Sequence, residues 1–444
     1  MSCNWSIKKL GDLVKFTSGG TPSKSNEAYW GGDIPWISAS SMNSTRYSES
    51  ELKVTTEGAK NGTRLVPKDT VLLLVRGGAL HNKIPVGITT REVTFNQDVK
   101  ALVPKTDEIT PWYLLFWLIS IKKTLLAKVE NTGIGAGKLD TKILQELEVP
   151  LPPKPELKRL EKFCKALDNK IILNADTNQT LEQMAQAIFK SWFVDFDPVK
   201  AKMNGELPEG MDADTASLFP EKLVESELGL IPEGWDILPL SSYINIKHGF
   251  AFKGEYFSDQ ETGDICVTPG NFHIGGGIKL DKLKYYDGPI PEDYIFSKGD
   301  LMVTMTDLSK QADTLGYPAF VPESEGKTYL HNQRIGKVEL KIEQDIKNYL
   351  YSFFCSSGYR NEVLSGVTGS TVKHTAPKKI MAIEVALDPR VADKFSQLVA
   401  PLFEKKAQNL AENSYLEKLR DTLLPKLLSG EIDLSEVEER TEVS

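Results

Sequence analysis

The residues of this chain that could do chemistry are hydrogen-bond donors rather than nucleophiles or metal ligands. One glycine run, Thr132-Gly-Ile-Gly-Ala-Gly-Lys138, looks at first like a phosphate cradle. A Walker-type loop needs a glycine where Thr132 stands and Ser or Thr where Leu139 stands, so the spacing fails. No strand is followed by a dinucleotide-binding glycine fingerprint, and no Asn/Asp-Pro-Pro-Tyr/Phe segment of a methyltransferase occurs. The histidines His81, His248, His273, His331 and His374 form no pair at helical metal-ligand spacing. The cysteines Cys3, Cys164, Cys266 and Cys355 form no C-x-x-C pair and no disulfide framework. No catalytic residue, no metal site and no cofactor is therefore expected in this chain.

The donors cluster in loops. A first group comprises Ser18, Thr21, Ser23, Lys24, Ser38, Ser40, Arg76, Lys83, Asn96, Gln97 and Lys138. A second comprises Lys247, Lys253, Asn271, Asn332, Gln333, Arg334, Ser370, Thr371, Lys373 and His374. Asn and Gln can pair bidentately with adenine, Arg and Lys with guanine. Gly, Ser and Thr let backbone amides approach phosphates. These loops are the candidate DNA-binding residues. For any one of them a plain turn is the competing explanation. Asn96-Gln97 and Asn332-Gln333 have a second role open to them, that of holding loops inside each module, since shared residues cannot distinguish two targets.

The formal net charge of −8 excludes a strong, non-specific DNA binder. Its distribution is uneven. Trp5–Pro150 holds 19 Lys and Arg against 15 Asp and Glu, while Trp235–Asp388 holds 16 against 20. Ala201–Gly234 holds 2 against 8. Local basic grooves remain possible, and other subunits are expected to supply much of the phosphate attraction. Met1–Leu10 has no apolar run of a secretion signal, and Trp112–Ile121 is far short of the roughly 18 apolar residues of a membrane span. No membrane partner and a reduced, cytoplasmic setting are expected.

The elements that must position these loops come in two copies. Trp5–Leu10 matches Trp235–Leu240, Leu65–Leu74 matches Ile295–Thr304, and Asn96-Gln97 matches Asn332-Gln333. Each copy opens with short strands between Gly, Pro, Asn and Asp turns, with Val71–Val75 and Leu301–Thr304 as buried strands. A helix follows, started by Thr110-Pro111 in one copy and by Asp345 in the other. A Gly/Ser/Thr loop then leads to a last strand, so each copy is an α/β module of about 150 residues, a common domain size.

A long helical stretch follows each module. A 3–4 spacing places Leu167, Ile171, Asn174, Asn178 and Leu181 on one seam. A shift of 235 residues places Leu402, Asn409, Asn413 and Leu416 on the other, where Lys406 and Arg420 interrupt the apolar pattern. Two Asn recur at the same two seam positions. A buried Asn penalises slipped registers, so the pattern predicts two antiparallel coiled-coil helices that meet. Packing of each helix on its own module alone is the competing reading. The predicted organisation is an N-terminal module at 1–150, a long helix at 151–200 and an extended acidic connector at 201–234. A C-terminal module at 235–388, a second long helix at 389–430 and an acidic, frayed tail at 431–444 complete it.

Lys170-Ile-Ile-Leu-Asn174, Asn178-Gln-Thr-Leu-Glu182 and Ala187-Ile-Phe-Lys-Ser-Trp-Phe-Val-Asp-Phe-Asp-Pro198 resemble the central conserved region of type I restriction–modification specificity subunits. Leu419–Gly430 resembles their C-terminal conserved region, and Gly19-Gly-Thr-Pro22, Ile34-Pro-Trp-Ile-Ser38 and Thr368-Gly-Ser-Thr371 resemble their target-recognition domains. The resemblance implies two repeated α/β target-recognition domains joined by two long antiparallel helices, with pseudo-two-fold symmetry. It implies a bipartite double-stranded DNA target whose gap the helices set. It further implies two adenine-modification subunits carrying S-adenosylmethionine and two ATP-driven restriction subunits as partners. A DNA-binding protein of another system and a protein-only scaffold or adaptor are the alternatives. A gel shift with random duplex, with and without modification subunits, separates them.

Overall fold

The computed structural model describes residues 5–132, 135–261, 263–280, 283–307, 309, 311–323, 326–367 and 372–432. Ser370 and Thr371 lie outside the described residues, as does the tail from 433 onward. Two compact units divide the chain: one runs to Asn174 and resumes at Glu412, the other is Ala175–Ala411. The division falls inside both long helices, so each unit holds one module and half of each helix.

In the first unit a five-stranded sheet has the order Val14–Ser18, Val99–Pro104, Val71–Leu74, Val86–Thr89, Arg46–Tyr47. Val71–Leu74 is buried at every position, as its unbroken apolar run requires. The helix Pro111–Ser120 shares this core. It starts as its sequence predicts, with Pro at the first turn and the Thr110 side chain accepting from the Tyr113 amide at 3.1 Å. A smaller sheet carries Val93–Phe95 between Trp30–Ile37 and Leu65–Val66. Ser6–Lys9 pairs antiparallel with Glu148–Leu151, which ties the start of the module to its end.

The second unit repeats this plan. Its main sheet has the order Ile244–His248, Ile335–Leu340, Leu301–Thr304, Pro318–Phe320. A smaller sheet pairs Tyr329–His331 with Asp264–Val267 and Ile295–Phe296, and Asp236–Pro239 closes on Glu384–Leu387. Here the helix is Lys347–Phe354. Ile346 takes the capping position, and Asp345 accepts from the Lys347 amide at 3.2 Å.

Each long helix spans 40 residues, Lys154–Phe193 and Pro389–Leu428. Within each unit the two segments run antiparallel. In the first, Leu157, Leu160 and Cys164 share a core with Leu424, Leu427 and Leu428, while Asn413 reaches back to Ile171. In the second, Phe189, Trp192 and Phe193 pack against Phe395, while Asn178 meets Asn409. The apolar seam residues Leu167, Ile171, Leu181, Leu402 and Leu416 are half-buried, and the buried contacts between them are made by the asparagines. Asn174 Nδ2 donates to Asn413 Oδ1 (2.9 Å) and Asn413 Nδ2 to the Ile171 carbonyl (2.9 Å). Asn409 Nδ2 donates to Asn178 Oδ1 (2.9 Å) and Asn178 Nδ2 to the Lys406 carbonyl (3.3 Å). Under the 235-residue repeat these are the same two bonds with the helices exchanged.

Residues 201–234 differ from the extended connector that their Pro, Gly and carboxylates predict. They contain the helix Ala213–Ser217 and a hairpin of Leu223–Ser226 with Gly229–Pro232, and the helix Asp197–Met203 leads into them. Val199, Phe219 and Ile231 are buried, and Phe219 meets the Trp192 ring edge-on at 5.3 Å. The apolar residues are too sparse to show a period, yet they cover the aromatic end of the first long helix.

The N-terminal module is tied to its helix by an ionic contact. Arg46 Nε and Nη2 both donate to Asp168 Oδ2, at 3.1 and 2.9 Å, and Thr45 donates to Oδ1 at 2.7 Å. Asp168 is 1% exposed. The Arg46 guanidinium left behind is a quarter exposed, so Asp168→Ala is expected to cost about 1.5–3 kcal/mol, the worth of hydrogen bonds to a charged group. Urea unfolding checks this, and an unchanged midpoint would show that the contact holds nothing.

Candidate nucleic-acid interface

One end of the main sheet gathers the candidate side chains, and it is the same end in both units. In the first unit Ser18 closes its strand opposite Lys100, and Leu74 closes its own opposite Val99. The chain then continues through Val75, whose amide donates to the Asp98 carbonyl at 2.8 Å, into Arg76. Leu139 donates to the Val75 carbonyl at 2.8 Å, which brings Gly137–Lys138 alongside Arg76–Gly77. Thr21 donates to Gln97 Oε1 at 2.7 Å across the same rim. Lys100, a residue the sequence reading did not single out, donates to Ser18 Oγ. Its clue was the neighbouring Asn96-Gln97.

The second unit builds the same rim with other side chains. His248 ends its strand opposite Gly336, the position Lys100 holds in the first unit. Met305 donates to the Arg334 carbonyl at 3.0 Å, and Thr375 to the Met305 carbonyl at 3.1 Å. Thr306–Asp307 pairs with Lys373–His374, the counterpart of Arg76–Gly77 with Gly137–Lys138. Gln333 and Arg334 are exposed at the rim.

Several candidates are occupied inside their own loops. Asn96 Oδ1 accepts from the Asp98 amide at 3.1 Å, and Asn332 Oδ1 from the Arg334 amide at 3.0 Å. The shared asparagines are loop braces, and Gln97 and Gln333 beside them face outward. Asn271 accepts from Thr268 twice at 2.9 Å and donates to the Lys279 carbonyl at 3.2 Å. Ser38 pairs with Ser40 at 3.0 Å within a capping box. Lys247 donates to the Asp293 carbonyl at 2.8 Å over the Tyr294 ring. Ser23, Lys24, Lys83 and Lys253 are exposed away from these brace points.

The glycine run has a conformational role. Thr132 Oγ1 donates to the Ala136 carbonyl at 2.8 Å, and Gly135 donates to the Thr132 carbonyl at 2.9 Å with φ at 75°. These bonds sit at the turn between Glu130–Asn131 and Gly137–Lys138, which pair antiparallel. Among the described residues no group of three His, Cys, Asp or Glu could hold a metal ion, and no helix is long and apolar enough to cross a membrane.

Each unit is thus an α/β module whose main sheet ends in a rim of polar side chains, and the module occurs twice. The profile of the family described as "Type I restriction modification DNA specificity domain" matches residues 3–183. The MjaIX specificity subunit of Methanocaldococcus jannaschii is 26% identical over 98% of this chain and 95% of its own. The HindI specificity subunit of Haemophilus influenzae is 28% identical over 74% and 79%. The S subunit of M. genitalium shares the fold, with a TM-score of 0.51 at 16% identity over 96% of each chain. Residues 3–183 thus carry a type I specificity domain, and along its length the chain is similar to the specificity subunits of type I restriction–modification enzymes, the DNA-recognition component of those systems.

The rim of the second unit rests on a buried histidine. His331 is 1% exposed, faces the Ile335 carbonyl at 2.8 Å through Nε2, and stacks near Phe296 at 4.6 Å. Its Nδ1 has no partner. Burial pushes its pKa down from 6.5 to about 4. The folded pKa lies below the unfolded one, so the stability is complete above about 6.5 and is lost as pH falls towards about 4. From pH 7 to pH 5 the expected loss is about 2 kcal/mol. The first unit has Phe95 at this position, so His331→Phe removes the titrating group with a ring the fold already uses. Unfolding midpoints at both pH values check this. Equal pH dependence in wild type and variant would contradict it.

Proposed function

We propose that residues 1–150 and 235–388 are independent readers, each recognising one half of a bipartite duplex target. The observation that carries this reading is the shared rim. The same backbone bonds bring the same strand ends together in both units, while the residues on them differ: Ser18, Lys100, Arg76 and Lys138 in one, His248, Gly336, Thr306 and His374 in the other. A common scaffold with different donors suits two different half-sites. A protein-only scaffold gives no reason for the rim to recur.

In this reading the paired helices set the gap between the half-sites in a pseudo-two-fold arrangement. Helices and module surfaces carry two modification subunits, which bind S-adenosylmethionine and extrude the target adenine. Two restriction subunits supply ATP-driven movement and cleavage. The complex works on DNA in the cytoplasm.

Exchanging residues 235–388 for the matching module of a relative should replace one half-site and leave the other intact. Methylome sequencing of cells carrying the variant reads the outcome, and a simultaneous change in both half-sites would refute independent reading. Inserting four residues after Gln183 lengthens the helix by about 6 Å at roughly 1.5 Å per residue. That is nearly two base-pair steps, so the gap should change and the half-sites should not. Altered half-site bases with an unchanged gap would contradict a helical spacer.

A further inference from the structure

We propose that the N-terminal module is the electrostatic anchor on DNA, gripping the phosphate backbone through Arg76 and Lys138 on adjacent strands of its three-stranded ribbon, and that the C-terminal module lacks this grip. The inference rests on the DNA-reading function and adds an unequal division of labour between the modules.

Arg76 stands directly opposite Lys138 in an antiparallel pair. Side chains so placed have Cβ atoms about 4.5–5.5 Å apart, and like charges there repel. Arg76 is exposed and makes no ion pair among the described residues; Lys138 pairs with Asp140 at 3.6 Å and stands opposite Glu130 on the other side of its strand. The Asp140 carboxylate already accepts from the Lys142 amide at 2.8 Å as a helix cap. The neighbouring position of the ribbon is Gly77 opposite Gly137, and a Cβ at Gly137 would lie 2.8 Å from Leu80 Cβ and 3.0 Å from Val129 Cγ1. The glycine face is therefore pressed on the core, and the cationic face is held outward at the sheet end, beside Gln97 and Lys100. Two convergent cations call for an anion. Base edges are neutral acceptors, so the fitting ligand is a backbone phosphate.

The second unit replaces every part of this device. Thr306 stands where Arg76 does and His374 where Lys138 does, and Thr306 Oγ1 lies 3.1 Å from His374 Nδ1. In place of the glycine pair stand Asp307 and Lys373, and Asp307 takes up the amides of Ser309 and Thr314 and the Thr314 hydroxyl. The whole-module charges run the same way: the N-terminal module has four more cations than anions, and the C-terminal module four fewer. Two independent observations, one local and one summed over the module, thus assign the phosphate attraction to the same side.

The test uses the chain assembled with its modification subunits and the duplex that the wild-type methylome identifies. Affinity is measured against salt concentration for wild type and for Arg76→Gln/Lys138→Gln. Each phosphate neutralised contributes a slope of about 0.9 in log–log form. The variant is expected to bind more weakly at low salt, with a slope shallower by about 1–2, and to methylate the same sequence. His374→Gln in the second unit, at the position of Lys138, should leave the slope unchanged. A relaxed base in the N-terminal half-site with an unchanged slope would make the pair a base reader and overturn the proposal. An unchanged slope and an unchanged target would place the ribbon off the DNA and overturn it too. Absence of specific binding by the wild-type complex would instead remove the DNA-reading function itself. Equal unfolding midpoints of wild type and variant separate a lost contact from a lost fold.

Discussion

A buried amide side chain that loses its hydrogen bonds costs about 1–3 kcal/mol, and the helix pair is organised around that penalty. Asn174 donates to Asn413 and Asn409 to Asn178, and Asn413 and Asn178 each donate to a backbone carbonyl, while Asn409 Oδ1 is buried without a partner. Sliding either helix by a residue would orphan all four. An apolar seam alone tolerates slippage, because one leucine replaces another. Around the ladder the two units then diverge. Lys406 pairs with Glu182 and reaches the Tyr351 hydroxyl at 3.3 Å in the second unit. The repeat puts Ile171 and Glu417 in their place in the first, where burial pushes the Glu417 carboxyl up. The polar bonds are thus common to both units, and the charges beside them distinguish the two.

The rims depend on an equally local constraint. The chain leaves the first strand of each module through a glycine pressed on a neighbouring backbone. A Cβ on Gly19 would sit 2.1 Å from the Phe95 carbonyl oxygen, and one on Gly249 2.1 Å from that of Asn332. The next amide then donates to the strand alongside, Gly20 to Phe95 at 2.9 Å and Phe250 to His331 at 2.8 Å. With the asparagine brace two residues further on, this close approach delivers Gln97 or Gln333 to the same place whatever the surrounding loops contain. Variation in the outward side chains therefore leaves the framework undisturbed, which is what a protein reading different sequences on one fold requires.

Much of this was legible in the sequence because it repeats. The doubled strands, the helix started by Thr110-Pro111 and the doubled asparagines all show a period or a cap. The ribbon was not legible as a unit. Arg76 and Lys138 were both candidates, but 62 residues separate them and only strand pairing makes them neighbours. The occupied states of Asn271, Ser38 and Lys247 were equally invisible, since a donor in a loop looks the same whether it faces outward or caps its own turn. The connector misled because its carboxylates and prolines outweigh a few apolar residues without a period, among them Phe219, which nevertheless packs edge-on against Trp192 at the helix end. Asp168 escaped notice for the opposite reason: on a helix rich in charge, one buried carboxylate has no sequence mark.

The contact each module makes with its own helix shows why independent readers can be exchanged only with care. Asp168 on the first long helix answers Arg46 of the N-terminal module. A shift of 235 residues gives Phe403 on the second, and Phe403 packs edge-on to Phe320 at 5.7 Å and Tyr351 at 4.9 Å of the C-terminal module. One module is anchored by an ion pair and the other by edge-on rings at equivalent helix positions. A module that carries Arg46 placed against a phenylalanine would bury an unpaired guanidinium, while an aromatic face placed against Asp168 would strip a carboxylate of both water and partner. Each module is therefore matched to its own helix by a contact of distinct chemistry, an ion pair in one unit and aromatic packing in the other.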